Sequence, residues 1–412
     1  MIKDIKKILE EVLQEIKPDN KPIIITERFI EKINKTLKEK KILAKATLGG
    51  SMAKNTHLKG DFDADIFIKF DFKYKGCDIS EILQLAITNY KYERVKGSRD
   101  YYHIHDEILF ELVPVLDVKC IKDADNVIDM SPMHVKYFKE NGAGLEDDVR
   151  LLKKFLKANR VYGAESYING FSGHIVDLLV IKYKSFLNVL KATQKWNNKV
   201  IIDIDKKLKD PLMELDRAKT QGPLIIVDPM QENRNAAAAL SHECFNTFVM
   251  RAKEFLKDPN KEFFIKKSAK ELITQNKESG ELFELTIKPQ KNSKDIAGAK
   301  VLKALEHIIY ELKNKDFKIK QFEWDFDSNA KAYILLDDEE LQEKKFIQGP
   351  PLTSKKHCES FNAKHKETFE KKGFLCANIK RKYTKPEQLI KDLIKEKYIQ
   401  ERVKEIRYKM IN

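Results

Sequence analysis

Residues 48–70, LGGSMAKNTHLKGDFDADIFIKF, place Asp63 and Asp65 one residue apart at the head of an apolar run. In a β-strand residues i and i+2 leave the same face. The spacing therefore predicts two carboxylates side by side, with Ala64, Ile66 and Ile68 entering a core. Like charges so placed repel, and a fold with no use for them is more stable without them. A divalent cation between them removes the repulsion. Mg²⁺ suits a few carboxylates, retained waters and phosphate oxygens, and two such ions clamp the attacking and leaving oxygens of an in-line phosphoryl displacement. Upstream, Gly49-Gly50-Ser51 offers backbone N–H groups and a hydroxyl to triphosphate oxygens, and Lys54 adds a charge. Either half of this pattern is weak alone. Within one strand–turn–strand unit the two halves point to metal-assisted phosphoryl displacement on a triphosphate, against the plain alternative of a surface turn and solvated aspartates.

A site of this type calls for a third carboxylate from a neighbouring strand. ILFELVPVLDV (108–118) offers Glu111 and Asp117. Glu111 lies inside an apolar run, where an uncompensated carboxylate is costly and a metal accounts for it. Asp117 follows Pro114, which is expected to break the strand, and is expected to face solvent. Glu111 is the preferred ligand.

The elements that must position these groups are legible in the pattern. Ile2–Ile16 and Phe29–Leu37 have helical spacing, ILAKATLGG and DADIFIKF read as strands, and YYHIHDEILFELVPVLDVK reads as a hairpin turning near Asp106-Glu107. Helices followed by packed strands make an α+β domain. After a hinge at NGAGLEDD (141–148) the texture is mostly helical to about residue 257. Beyond KDPNKE, alternating segments surround the helix AGAKVLKALEHIIYELKNK in a second α+β region. A last helix is expected from a capping box at Thr384-Lys-Pro-Glu387, with an apolar stripe running on through Tyr398 and Ile399. The expected organisation is α+β multidomain: 1–142, 143–258, 259–350 and 351–412.

The chain has 412 residues, 42% of them hydrophobic, enough for several cores. Lys and Arg number 78 against 64 Asp and Glu, a formal charge of +14, which favours a polyanionic partner, nucleic acid before membrane. The five cysteines are scattered without paired C-x-x-C spacing, which points to a reducing, cytoplasmic setting. His357, Cys358, His365 and Cys376 match no metal-site spacing. No apolar run approaches the roughly 20 residues of a membrane span.

These residues resemble the archaeal, class I CCA-adding enzymes, tRNA nucleotidyltransferases of the polymerase-β-like superfamily. The resemblance extends through DMSPMH (129–134), VRLLKKFLKANRVYGAE (149–165), GFSGHIVDLLV (170–180), VDPMQENRNAAAALS (227–241) and QGPP (348–351), in family order. It implies a polymerase-β-like palm with a mixed sheet over 1–142 as a catalytic head. A helical neck, an α+β body and a tail that grips tRNA would follow. It implies Mg²⁺ held by Asp63, Asp65 and Glu111, with glutamate standing where aspartate is usual. Ser51 and Lys54 would hold triphosphate, lysine replacing the commoner arginine. Ser131, His134, Lys153 and Tyr162 would line the incoming nucleotide, and Arg234 would read the base edge. The implied activity is template-independent addition of C, C and A to the 3′ end of tRNA from CTP and ATP, by a homodimer. The rivals are another template-independent transferase, such as a poly(A) polymerase, and a silent RNA-binding protein on the same scaffold.

Overall fold

The computed structural model describes residues 2–275, 279–338 and 340–411. Its packing separates two compact units, 1–266 and 267–412. The four-segment division expected from sequence is finer than this separation.

The first unit opens with helices α1 (Ile2–Ile16) and α2 (Lys21–Glu39), then β1 (Ala44–Leu48), a single turn α3 (Gly50–Ala53) and β2 (Ala64–Phe70). Helix α4 (Ile79–Ala86) leads to β3 (Tyr92–Val95), β4 (Tyr101–His105) and β5 (Leu109–Leu116). These strands form one mixed sheet in the order β1-β2-β5-β4-β3, with β2 and β5 parallel and the other pairs antiparallel. Helix α2 buries Ile25, Phe29, Ile33 and Leu37, a period-4 stripe, against Ile66, Ile68 and Phe110 of the sheet. Phe29 stacks on Phe110 with ring centres 4.0 Å apart. As the alternation predicts, Ala64, Ile66 and Ile68 are fully buried, so Asp65 is turned to the opposite face.

The expected break at Pro114 does not occur. Strand β5 runs through it, with Ile68 opposite Pro114 in the parallel ladder. The β4 ladder has already ended at Tyr102–Leu112. On that side the Pro114 carbonyl accepts instead from Arg99 Nη1 at 3.2 Å. A residue's N–H and C=O leave a strand on the same side, so proline's missing donor falls where no strand needs it. Asp117 then lies just past the strand, exposed and paired with Lys69.

Helices α5 (Ser131–Asn141), α6 (Glu146–Ala158), α7 (Gly173–Tyr183) and α8 (Phe186–Thr193) follow. The helical texture is then interrupted by β6 (Val200–Ile202), α9 (Pro211–Glu214), β7 (Leu224–Asp228) and β8 (Gln231–Asn235) before α10 (His242–Lys257). Strand β7 is buried along its whole length. A fully buried strand shows no alternation and so cannot be told from a buried helix by period. Helices α6, α7, α8 and α10 share one core, in which Phe155 touches Phe186, Phe248, Phe255, Phe263 and Phe264.

The second unit begins with α11 (Ala269–Gln275), β9 (Glu281–Pro289), α12 (Lys294–Asn314), β10 (Ile319–Phe326) and β11 (Ala330–Leu336). Next come β12 (Lys344–Pro351), α13 (Lys355–Lys364), β13 (Thr368–Lys371), β14 (Phe374–Lys380), α14 (Pro386–Leu393), α15 (Lys397–Gln400) and β15 (Val403–Ile411). They form antiparallel sheets β10-β11-β9-β15 and β12-β14-β13. The expected last helix is shorter than its stripe. It stops at Leu393, where Lys395 and Glu396 bond back three residues rather than four. The chain then turns to add β15 beside β9. Nor does the capping box form: Lys385 is the N-cap, without a side-chain bond, and the Thr384 backbone N–H donates to Gln388. Among the described residues no helix is long and apolar enough to cross a membrane.

Candidate active site

The glycine pair fixes the deepest carboxylate. The Gly49 N–H donates to the Asp65 carbonyl at 2.8 Å, closing the turn from β1 onto β2. Gly50 has φ +50°, and a Cβ there would fall 1.6 Å from Asp65 Oδ2. The carboxylate thus occupies the space any other residue's side chain would fill, against the turn that carries Ser51. Only glycine permits both that backbone and that approach.

The parallel register of β2 and β5 places Glu111 directly opposite Asp65. Asp63 stands just ahead of β2, and Asp65 is half-buried beside Glu111. Asp65 is pushed up to about 7, by loss of water first and then by the charges of Glu111 and Asp63. Asp63 is raised for the same reasons, burial and then Glu111. The sequence-predicted trio is therefore one electrostatic cluster with too little positive charge of its own. Hard oxygen donors in that condition fit a divalent cation. Asp63, Asp65 and Glu111 do not gather as tightly as ligands of a single ion; a pair of ions about 3.5–4 Å apart asks for the wider spread.

Sequence reasoning missed the group on the far side of Glu111. Antiparallel pairing sets His103 opposite it, and His103 Nε2 lies 3.1 Å from Glu111 Oε2. The hydrogen bond to Glu111 raises the imidazole's affinity for a proton, against the opposing effect of burial. Alternation in YYHIH puts His103 on the face away from buried Tyr102 and Ile104. The register that pairs it with Glu111 is a tertiary fact.

The predicted cations are close by but already engaged. Lys54 forms a buried ion pair with Asp177 of α7. Lys153 of α6 is buried and donates to the Thr56 carbonyl at 3.1 Å and hydroxyl at 3.2 Å. Burial pulls Lys153 down to about 7, opposed by Asp177. Both lysines act electrostatically on Asp65. Arg150, also unforeseen and 1% exposed, donates to the His57 carbonyl at 3.1 Å and Asn55 Oδ1 at 2.7 Å. Helix α6 thus grips the loop that follows Ser51 and Lys54. Tyr162 is close-packed beside Gly173, with Lys157 Nζ 5.1 Å above its ring.

His134 and Arg234 meet on a group that sequence reasoning quoted but gave no role, the buried Asp228 of VDP. Arg234 Nη1 reaches Asp228 Oδ2 at 2.9 Å, His174 Nε2 at 3.3 Å and His134 Nε2 at 3.4 Å. Burial would raise Asp228, but the His134 and His174 imidazoles beside it outweigh that and hold its carboxyl far below the usual range. Among the described residues His134, His174 and Asp228 are the set compact enough for a single ion. Two observations favour a donor cluster instead. Arg234 already sits on Oδ2, and the two imidazoles stack with ring centres 4.0 Å apart, whereas ligands radiating from one ion would hold them roughly 5 Å apart. Ser131 opens α5, one turn before His134.

Residues 147–265 match the family model for a tRNA nucleotidyltransferase second domain, and residues 278–409 the model for a CCA-adding enzyme C-terminal domain. The CCA-adding enzyme of Nanoarchaeum equitans is 35% identical over 78% of this chain and 80% of its own length. That of Methanocaldococcus jannaschii is 33% identical over 95% and 91%. A poly(U) polymerase structure aligns with a TM-score of 0.53 at 14% identity, over 65% of this chain and 100% of its own, a likeness of fold alone. At 33–35% identity over most of the chain, the two CCA-adding enzymes lead to one assignment: the chain belongs to the family of archaeal CCA-adding enzymes.

Proposed function

We propose that this protein adds C, C and A to the 3′ end of tRNA from CTP and ATP, releasing pyrophosphate, without a template strand. The observation that carries the reading is the Asp65–Glu111 register, with Asp65 seated against Gly50 beside Ser51. Asp63 and Asp65 would hold two Mg²⁺ ions, and Glu111 would complete the site on the side of the primer 3′-hydroxyl. When bound, such ions polarise the attacking hydroxyl and stabilise the leaving pyrophosphate.

The chain's own residues bind and orient. Ser51 offers its hydroxyl to the triphosphate. Lys54 and Lys153 offset its charge in a site where water is scarce and each charge counts for more. Arg234 keeps N–H groups for a base edge while Asp228 fixes its orientation. His134, Tyr162 and Ser131 line the nucleotide. Residues 1–142 act as head, 143–258 as neck, 259–350 as body and 351–412 as tail. The basic surface, with its net charge of +14, suits phosphate and 2′-hydroxyl contacts to the acceptor stem and T arm. A cytoplasmic homodimer completes the proposal.

The test is purified protein with Mg²⁺, labelled CTP and ATP, and tRNA lacking its 3′ end. The expected product is longer by C, C and A, and is lost in Asp65→Asn. Unlimited A tails, or undiminished activity in that variant, would overturn the assignment.

A further inference from the structure

His103 is outside every motif that led to this site, yet it belongs to it. Strand β5 lies between β2 and β4, and the two registers draw Asp65, Glu111 and His103 into one row across adjacent strands. Glu111 has one more rotatable bond than the aspartates it must work with, so its carboxylate needs an external restraint to stay in place. Among the described residues the hydrogen bond it makes is with His103, Nε2 to Oε2 at 3.1 Å. Both side chains are about three-quarters covered, at 23% and 25% exposure, so the bond is partly sheltered from competing water. A carboxylate acting as ligand only accepts, so Nε2 must be the donor. Tyr101 packs edge-on against the imidazole with centres 5.4 Å apart, limiting the ring's rotation.

We infer that His103 is a positioning residue: it holds Oε2 of Glu111 and leaves Oε1 free, so that the third carboxylate is set for a divalent cation before one arrives. Donors that hold a ligating carboxylate from behind are worth roughly 10–100-fold in metal affinity. The inference rests on Asp63, Asp65 and Glu111 being cation ligands.

The experiment is Mn²⁺ titration of the full-length protein, followed by loss of the free-ion electron paramagnetic resonance signal, without nucleotide or tRNA. His103→Ala is expected to weaken binding about 10-fold or more. His103→Gln, whose amide N–H reaches about as far as Nε2, is expected to restore most of it. In a Glu111→Gln background His103→Ala is expected to add little, because its partner is gone. Wild-type affinity in His103→Ala, no recovery in His103→Gln, or the full loss repeated in the Glu111→Gln background would each overturn the inference. So would nitrogen coupling from His103 to bound Mn²⁺, which would make it a ligand. Should the alanine variant melt early in EDTA, the glutamine variant and the Glu111→Gln pair decide. Absence of site-specific Mn²⁺ binding in the wild type would defeat the two-ion reading itself.

Discussion

Single residues here trade stability for function, and the trade is measurable. The Asp65 carboxyl, raised to about 7, binds a proton in the folded protein across a window where the unfolded chain has lost it. The metal-free protein therefore loses stability as pH rises from about 4 to 7, on the order of a few kcal/mol. Asp65→Asn is expected to abolish nucleotide transfer and yet melt a few degrees higher than wild type in EDTA at pH 7.5. The gap should shrink toward pH 4 and close or reverse with Mg²⁺, as calorimetry across pH would register. Gly50→Ala is the complementary case. Its Cβ would strike Asp65 Oδ2, so transfer should fall roughly 100-fold, with about 1 kcal/mol of stability lost to the positive φ. Steady-state assays beside thermal melts separate the two effects. The Asp-x-Asp and Gly-Gly-Ser groups were legible because strand alternation and a glycine turn are local. Glu111 was legible as a buried oddity, a carboxylate in an apolar run. His103, Asp177 and Asp228 were not, since each has meaning only through a partner brought from another element.

At the scale of elements, α6 decides whether the loop after Ser51 keeps its shape. Arg150 and Lys153 lie one turn apart on its buried face and bond the backbone or side chains of Asn55, Thr56 and His57. Arg150→Met leaves the His57 and Asn55 acceptors unmet, at a cost of about 2–4 kcal/mol. A drop in melting temperature on the order of 10 °C is expected by scanning calorimetry. Lys153 carries the opposite pH sign from Asp65. Its folded value of about 7 lies below the ordinary 10.5, so the folded state binds fewer protons between those limits and its contribution to stability rises as pH climbs through them. Relative to Lys153→Met, wild type should therefore gain stability between pH 7 and 9.5, by the difference in denaturant midpoints. The helical periodicity of α6 was plain in the sequence, but what its face touches was not. Strand β5 shows the same limit: Pro114 reads as a break until the end of the β4 ladder shows that no donor is needed there.

On the scale of the molecule, the two compact units meet in sequence at Lys266–Lys267. A fragment of residues 1–266 is expected to fold cooperatively and keep Mn²⁺ and nucleotide binding, because carboxylates, lysines and the Asp228 cluster all lie within it. Its affinity for tRNA should be weaker and its dependence on salt shallower than those of the whole chain, since fewer phosphate contacts release fewer counterions. Fluorescence anisotropy across a salt series measures both. An unchanged salt slope would remove the second unit from the proposed tRNA grip.

The sequence alone determined what is encoded over short range: the alternation that aims Asp65 away from the core, the glycine turn ahead of it, the amphipathic helices and the composition that calls for a polyanion. Tertiary structure decided which distant groups answer one another: Glu111 opposite Asp65, His103 behind Glu111, Asp177 on Lys54, and Arg234 with two histidines around Asp228. The physical reason is that side-chain period fixes a direction, whereas register and packing fix a neighbour. A buried or clustered charge is settled by its neighbour.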